Sequence, residues 1–183
     1  MKIFFCTTNE GKFLEARSVL SELGVSLELN KIDLSEPKVF SINEIVLSKA
    51  RRAFEELREP VLVEDTGLFL LDYQDFPGAF SKVLIQGAGL TGFLRLTEGT
   101  SRQAEFRTLV AFKDNTREKV FEGKIKGSIL TEPRGNALSS LQYDSVFVPE
   151  GWSKTFAEAG SQEKNKVSHR ALALRSFGEW ITK

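Results

Sequence analysis

The sequence predicts an α/β fold, with a mixed, twisted sheet flanked by helices. Three observations carry this. The apolar spacing over residues 1–63 alternates strand, helix, strand, helix, strand, and such alternation builds a sheet covered by helices. The adjacent runs "QAEFRTLVAFKD" and "EKVFEGKIKGSIL" are rich in β-formers and read as an antiparallel hairpin of long strands. The chain closes on a helical pattern from Ser168 onward.

Taken in order, Ile3-Phe4-Phe5 is a buried first strand. Phe13, Ala16, Val19, Leu20 and Leu23 then fall at helical spacing, and Gly24 supplies the stop. Leu27 and Leu29 alternate with polar residues in a second strand reaching about Ile32. "DLSEPKVF" is a loop. "SINE" opens the second helix as a capping box, with the Ser41 hydroxyl accepting a backbone N–H and Glu44 reaching back. Its apolar face runs through Ile42, Ile45, Val46, Ala50, Ala53, Phe54 and Leu57, and Pro60 ends the unit. Val61-Leu62-Val63 is a short buried strand. "FPGAFSKVLIQGAGLTGFLRL" is punctuated by glycine and carries short helices. The long hairpin turns near Asp114-Asn115, "SSLQYDSVFVPEG" holds another short strand, and the last helix carries Ala171, Leu172, Arg175, Phe177 and Trp180-Ile181. No repeat, low-complexity tract or linker interrupts the chain. One domain over residues 1–183, with the hairpin as a lobe, is the economical reading.

Composition narrows the function classes. The 183 residues are 41% hydrophobic and 27% charged, which is ordinary for a soluble globular protein. Lys+Arg and Asp+Glu both total 25, so the basic excess of a nucleic-acid coat or a membrane-surface binder is missing. The single cysteine, Cys6, cannot form an internal disulfide, which fits a reducing cytosol. No signal-peptide pattern opens the chain, and no apolar run reaches the ~18 residues of a membrane span. One His and one Cys rule out a multi-histidine centre and leave little for structural zinc. A metal here is expected to be hard and carboxylate-bound, such as Mg²⁺.

Three stretches can carry chemistry. In "TTNEGK", a strand runs into a helix through Thr7, Thr8, Asn9, Glu10, Gly11 and Lys12. Free backbone N–H groups and the positive helix end suit a phosphate, Gly11 permits close approach and Lys12 adds charge. A capped turn is the plain alternative, and the Walker A pattern is absent. In "VLVEDTGLFL", Glu64 and Asp65 read as ending a buried strand before a glycine turn. Adjacent carboxylates there repel, and a cation or a proton would relieve them. A solvated Asp-Thr-Gly turn is the alternative. Glu36, in the Pro37 loop, is a third acid within reach, though on the sequence alone an exposed loop charge is the better reading. In "EKNKVSHRALAL", Ser168 caps a helix, so His169 and Arg170 sit on its first turn, where cations oppose the dipole. That placement points to an anionic or carbonyl-bearing partner, the alternative being a packed His169 and a solvated Arg170. Lys164 and Lys166 lie just upstream. Lys49 and Lys82 are further phosphate candidates, though composition reads each first as a plain surface lysine. Tyr143 and Asp144, in "LQYDSVFVPEG", could line a pocket for a flat base, or serve as core and turn. Several lysines, a glycine-bearing turn and clustered acids together suit a Mg²⁺–polyphosphate substrate.

These segments, in this order, resemble the inosine triphosphate pyrophosphatase family. The matching pieces are "TTNEGK", "DLSE", "SKA", "VEDTGL", "FPGAFSK", "PRG", "YD" with "FVPEG", and "EKNKVSHRALAL". They span nearly the whole chain, and the ordered set is specific. The resemblance implies a two-lobed fold with a substrate cleft between the lobes. It implies hydrolysis of a non-standard purine nucleoside triphosphate (ITP, dITP or XTP) to the monophosphate and pyrophosphate, with Mg²⁺ as cofactor and usually as a homodimer. By position, Thr7 to Lys12 would cradle the triphosphate, and Lys49, Lys164 and Lys82 would neutralise it. Glu36 and Asp65 would hold metal with Glu64 nearby, Asp65 would also be the general base, and Thr66 would touch substrate. His169 and Arg170 would meet the 6-oxo base. One departure stands out: the family usually has Phe-Gly where this chain has Leu141-Gln142, so ring stacking on the base is replaced by an aliphatic chain and an amide. Two competing readings are a sister family acting on pyrimidine nucleotides, whose Ser/Arg-rich loop "TTNEGK" does not resemble, and a nucleotide-binding regulator without catalysis.

Overall fold

The computed structural model describes residues 2–34, 37, 39–74, 76–137 and 139–183, with side chains at all of these except 139–141. The elements run β1 (Ile3–Cys6), α1 (Glu10–Ser21), β2 (Leu27–Asn30), α2 (Ile42–Leu57), β3 (Val61–Leu70), β4 (Pro77–Gly78), α3 (Ser81–Leu96), β5 (Gln103–Lys113) and β6 (Glu118–Ile129). A 3-10 helix (Ser139–Ser145), β7 (Phe147–Pro149), α4 (Phe156–Val167) and α5 (His169–Ile181) follow. The sheet order is β2-β1-β3-β5-β6-β7, with β4 pairing β3 off this path. β1 is parallel to β2 and β3, and the remaining pairs are antiparallel. The sheet is therefore mixed, as the sequence predicts.

Side-chain oxygens start four helices. Asn9 accepts from the Lys12 N–H, Ser41 from Glu44, Thr155 from Glu158 and Ser168 from Ala171, each satisfying a backbone donor that the first turn leaves orphaned. Three apolar cores follow from strand alternation. On one face, Leu62, Val110, Phe112 and Phe121 pack against Ala16 and Leu20 of α1 and Leu174 and Phe177 of α5. On the other, Val63, Phe69, Leu109 and Ala111 pack against Val46, Ala50 and Ala53 of α2. A third core joins Leu68, Phe93, Phe106, Phe147 and Phe156 at the far end of the sheet. β3, β5 and β6 run through both ends of the sheet and contribute to the cores there.

The structure corrects the sequence reading at several points. β3 does not stop at Val63 before a turn; it continues through Gly67 to Leu70. Gly67 is there for close approach, since a Cβ on it would lie 2.6 Å from the Gly78 carbonyl oxygen and 2.8 Å from Ile42 Cδ1. Because a strand alternates faces, Glu64 points toward α1 and α5 while Asp65 points toward α2. The two acids are adjacent in sequence but do not share one site. β2 ends at Asn30. α4 was not foreseen: Gly160, at φ 73°, breaks its pattern, and its face is largely polar. α3 comprises two helical segments about Gly89, in line with short helices.

One detail creates the cleft. β5 pairs β3 along its whole length. On the opposite edge, β1 pairs as far as Leu62 and β4 resumes at Leu68. Residues 63–67 of β3 thus have no strand partner on that edge among the described residues, and the sheet opens there.

Candidate active site

A cavity of about 720 Å³ fills that gap. The turn after β1 lines it through Thr7, Thr8, Asn9, Glu10 and Lys12, and the start of α3 through Ser81 and Lys82. Asp65 and Thr66 line the exposed edge of β3, with Lys49 beside them from α2. Phe106, Gln142, Tyr143, Asp144, His169 and Arg170 complete the wall. Thirteen residues singled out from sequence therefore meet in one space. Gly11, Glu64 and Lys164 are buried but do not line it. Glu36 and the Leu141 side chain lie outside the described residues.

The β1–α1 turn is held by its own side chains. The Thr7 hydroxyl accepts from the Asn9 N–H at 3.1 Å, and Asn9 Oδ1 accepts from the Lys12 N–H at 3.1 Å. Glu10 is exposed and paired with Lys31 at 2.5 Å, so its side chain is committed on the outside. Lys12 reaches back to Glu64 at 2.7 Å. Lys49 is buried; its Nζ donates to the Glu64 carbonyl at 3.0 Å and lies 3.4 Å from Asp65 Oδ1. Lys82 is exposed on the first turn of α3.

Behind the wall runs a buried ionic network. Arg170 donates through Nε to Glu64 at 2.5 Å and through Nη1 to Glu15. Lys164 donates to Glu15 at 2.7 Å and to Asp144 at 2.5 Å. All five are at most 10% exposed at the side chain. Burial alone would raise the Glu64 carboxyl, but Arg170 and then Lys12 outweigh it and hold it far below the usual carboxylate range. Glu15 is lowered in the same way, burial being overcome by Arg170 and Lys164. Asp144 goes the other way: burial raises it, and Lys164 only partly offsets that. Arg170 is raised; burial would lower it, and Glu64 and Glu15 prevail. The anionic partners that its place on the first turn of α5 calls for are thus, in the first instance, carboxylates of this chain.

His169 is buried and neutral. Its pKa falls well below 6.5 through burial, then through Arg170 and Lys164. Its ring lies flat on Phe106, 4.4 Å between centroids and 12° from parallel. Nδ1 has no hydrogen-bond partner among the described residues. Tyr143 donates its hydroxyl to the Ser81 carbonyl at 2.8 Å, tying the 3-10 helix to α3. Burial, then Glu56, pushes the Cys6 thiol up to about 12, so this cavity-lining group is not a nucleophile at neutral pH.

Sequence reasoning missed Glu15, Ser81, Phe106 and Thr108. Glu15 had a signal: Lys12, Glu15, Ala16, Val19 and Leu20 share one helical face, and an acid on an apolar face needs a buried cation. Ser81 looked like any helix-start serine; it bonds Leu68 N, Leu68 O and Gly78 O, contacts that no local pattern encodes. Phe106 and Thr108 read only as strand residues.

Among the described residues no group of three or more His, Cys, Asp and Glu is placed to cage a metal, and no helix is long and apolar enough to cross a membrane. The chain matches the Ham1 family over residues 3–180. It is 42% identical over 182 residues to a dITP/XTP pyrophosphatase of Methanopyrus kandleri, covering 98% of this chain and 96% of that one. A dITP/XTP pyrophosphatase of Saccharolobus solfataricus is 37% identical over 182 residues, covering 99% and 94%. The structure of a HAM1 protein from Coxiella burnetii superposes with a TM-score of 0.82 at 26% identity, over 100% of this chain and 98% of that one. With the fold, the ordered motifs and these matches in agreement, the chain belongs to the Ham1 family.

Proposed function

We propose that this chain hydrolyses ITP, dITP and XTP to the nucleoside monophosphate and pyrophosphate, a reaction that cleanses the nucleotide pool. The observation that carries the reading is the convergence of the Thr7–Lys12 turn, Asp65 of β3 and the start of α5 on one cavity. One end offers backbone donors and the positive end of α1, which suit phosphates. The other end offers Phe106, Tyr143 and His169, which suit a flat base.

Lys12, Lys49 and Lys82 neutralise the triphosphate. Lys12 turns from Glu64 toward a phosphate, and Glu64 keeps Arg170 as its counter-ion. Asp65 accepts a proton from the water that attacks the α-phosphorus. Mg²⁺ fits this donor set, because it is commonly held by one or two carboxylates together with substrate phosphates and water. Asp65 would hold it, with Glu36 as the resemblance implies; both Glu64 oxygens face the Arg170 guanidinium. When bound, the ion supplies positive charge to the phosphate oxygens and the leaving pyrophosphate. The resemblance also supports a homodimer, and the single free cysteine a cytoplasmic location, as parts of this proposal.

Base choice follows from hydrogen bonding. Hypoxanthine and xanthine carry a carbonyl at position 6, which accepts from a donor such as Arg170. Adenine carries an amino group there, and donor facing donor leaves a buried group unpaired at about 1–3 kcal/mol. Purified protein with Mg²⁺ should therefore release pyrophosphate from ITP or XTP with a kcat/KM about 5- to 150-fold above that for ATP. Equal rates on ATP would reject the reading.

A further inference from the structure

We infer that Gly123 and Thr108, neither of them on the cavity wall, are positioning residues that set the depth at which α5 presents His169 and Arg170 to the substrate base. The inference rests on the function proposed above and deepens it.

Thr66, Thr108 and Gly123 are register partners on β3, β5 and β6, so they lie on one face of the sheet. The neighbouring rows on that face are bulky: Leu68, Phe106 and Ile125 on one side, Glu64, Val110 and Phe121 on the other. The row between them is a trough, and the first turn of α5 lies in it. A Cβ built on Gly123 would fall 2.0 Å from the His169 carbonyl oxygen, 2.6 Å from Ala173 N and 2.9 Å from Leu172 Cβ. The two nearest atoms are backbone and cannot swing aside, so any side chain at 123 lifts the helix. A lift on the order of 1 Å at a binding group can cost about 10²-fold.

Thr108 acts at the other end of the trough. It is fully buried, and its hydroxyl lies 2.6 Å from that of Thr66. Thr66 Oγ1 in turn accepts from Arg170 Nη2 at 3.4 Å. The glycine sets the height of the turn, and the threonine pair sets where the guanidinium rests. His169, flat against Phe106 and with Nδ1 unpartnered among the described residues, passes any displacement straight into the cavity.

The test compares kcat/KM for ITP and ATP in Gly123→Ala and Thr108→Val, with Gly127→Ala as a control. Gly127 is equally tight, 2.2 Å from the Val148 carbonyl oxygen, but its neighbours do not line the cavity. Gly123→Ala is expected to lower the ITP:ATP ratio by about tenfold or more, through KM for ITP. Thr108→Val is expected to lower the ratio by a smaller factor, and Gly127→Ala to lower Tm and leave the ratio alone. Wild-type ratios in folded Gly123→Ala and Thr108→Val would overturn the inference, as would an equal fall in Gly127→Ala. If Gly123→Ala does not fold, Thr108→Val decides alone: a lowered ratio supports the inference and an unchanged one overturns it. A wild type that does not prefer ITP would instead overturn the function itself, a distinct result.

Discussion

Asp65→Asn is expected to lower pyrophosphate release from dITP by about 10²–10⁴-fold, the contribution of a well-placed general base. The substitution keeps the size and shape of the side chain, so the cavity and its phosphate donors remain. Lys49 keeps its bond to the Glu64 carbonyl, 3.0 Å away, so the local backbone stays anchored. What disappears is the proton acceptor, along with a carboxylate oxygen suited to a hard cation. Binding should change far less than turnover, because Lys12, Lys82 and the start of α1 still meet the triphosphate. Steady-state kinetics beside calorimetric titration separates the two. A variant that turns over dITP at the wild-type rate would remove Asp65 from the chemistry.

Arg170→Met costs stability on a scale few surface changes reach. The guanidinium is the shared partner of Glu15 and Glu64, both buried. Removing it leaves Lys12 and Lys164 to serve two carboxylates that lose their main counter-charge. Breaking a buried pair in this way costs about 3–5 kcal/mol, a fall in Tm on the order of 10 °C for a chain of this length. The sign of the pH dependence checks the cause. In the wild type, Glu64 is held below its ordinary 4.5, Arg170 being the largest force opposing burial. Its contribution is therefore fully present above pH 4.5 and fades only as the pH falls toward the folded-state value. In the variant, burial is no longer opposed by Arg170, and protonation relieves the stranded charge. The deficit between wild type and variant should narrow as the pH falls from 7 to 4. Urea unfolding at pH 7 and pH 4 reads it; a deficit that is small at pH 7, or that widens in acid, would refute the network as described.

Much of the fold was legible because local rules and burial agree in it. Ser41, Asn9 and Ser168 stand where capping chemistry puts them, and the hairpin of β5 and β6 is rich in the residues that form strands. The site was legible in part. Its turn, its lysines and the start of α5 announce themselves by placing charge where a helix or a buried strand does not need it. Glu64 was misplaced for a specific reason: "EDTG" carries a turn signature, but Gly67 serves the close approach of β4, and strand alternation then sends Glu64 and Asp65 to opposite faces. Glu15 and Thr108 act through residues far away in sequence, and α4 is masked by Gly160. Such roles are settled by packing, which spacing alone does not display.

Hydrolysis of dITP in water enriched in ¹⁸O tests the central claim most directly. Water activated at Asp65 and attacking the α-phosphorus puts the label in dIMP and leaves the pyrophosphate unlabelled. Label in the pyrophosphate, or release of orthophosphate in its place, would contradict the account.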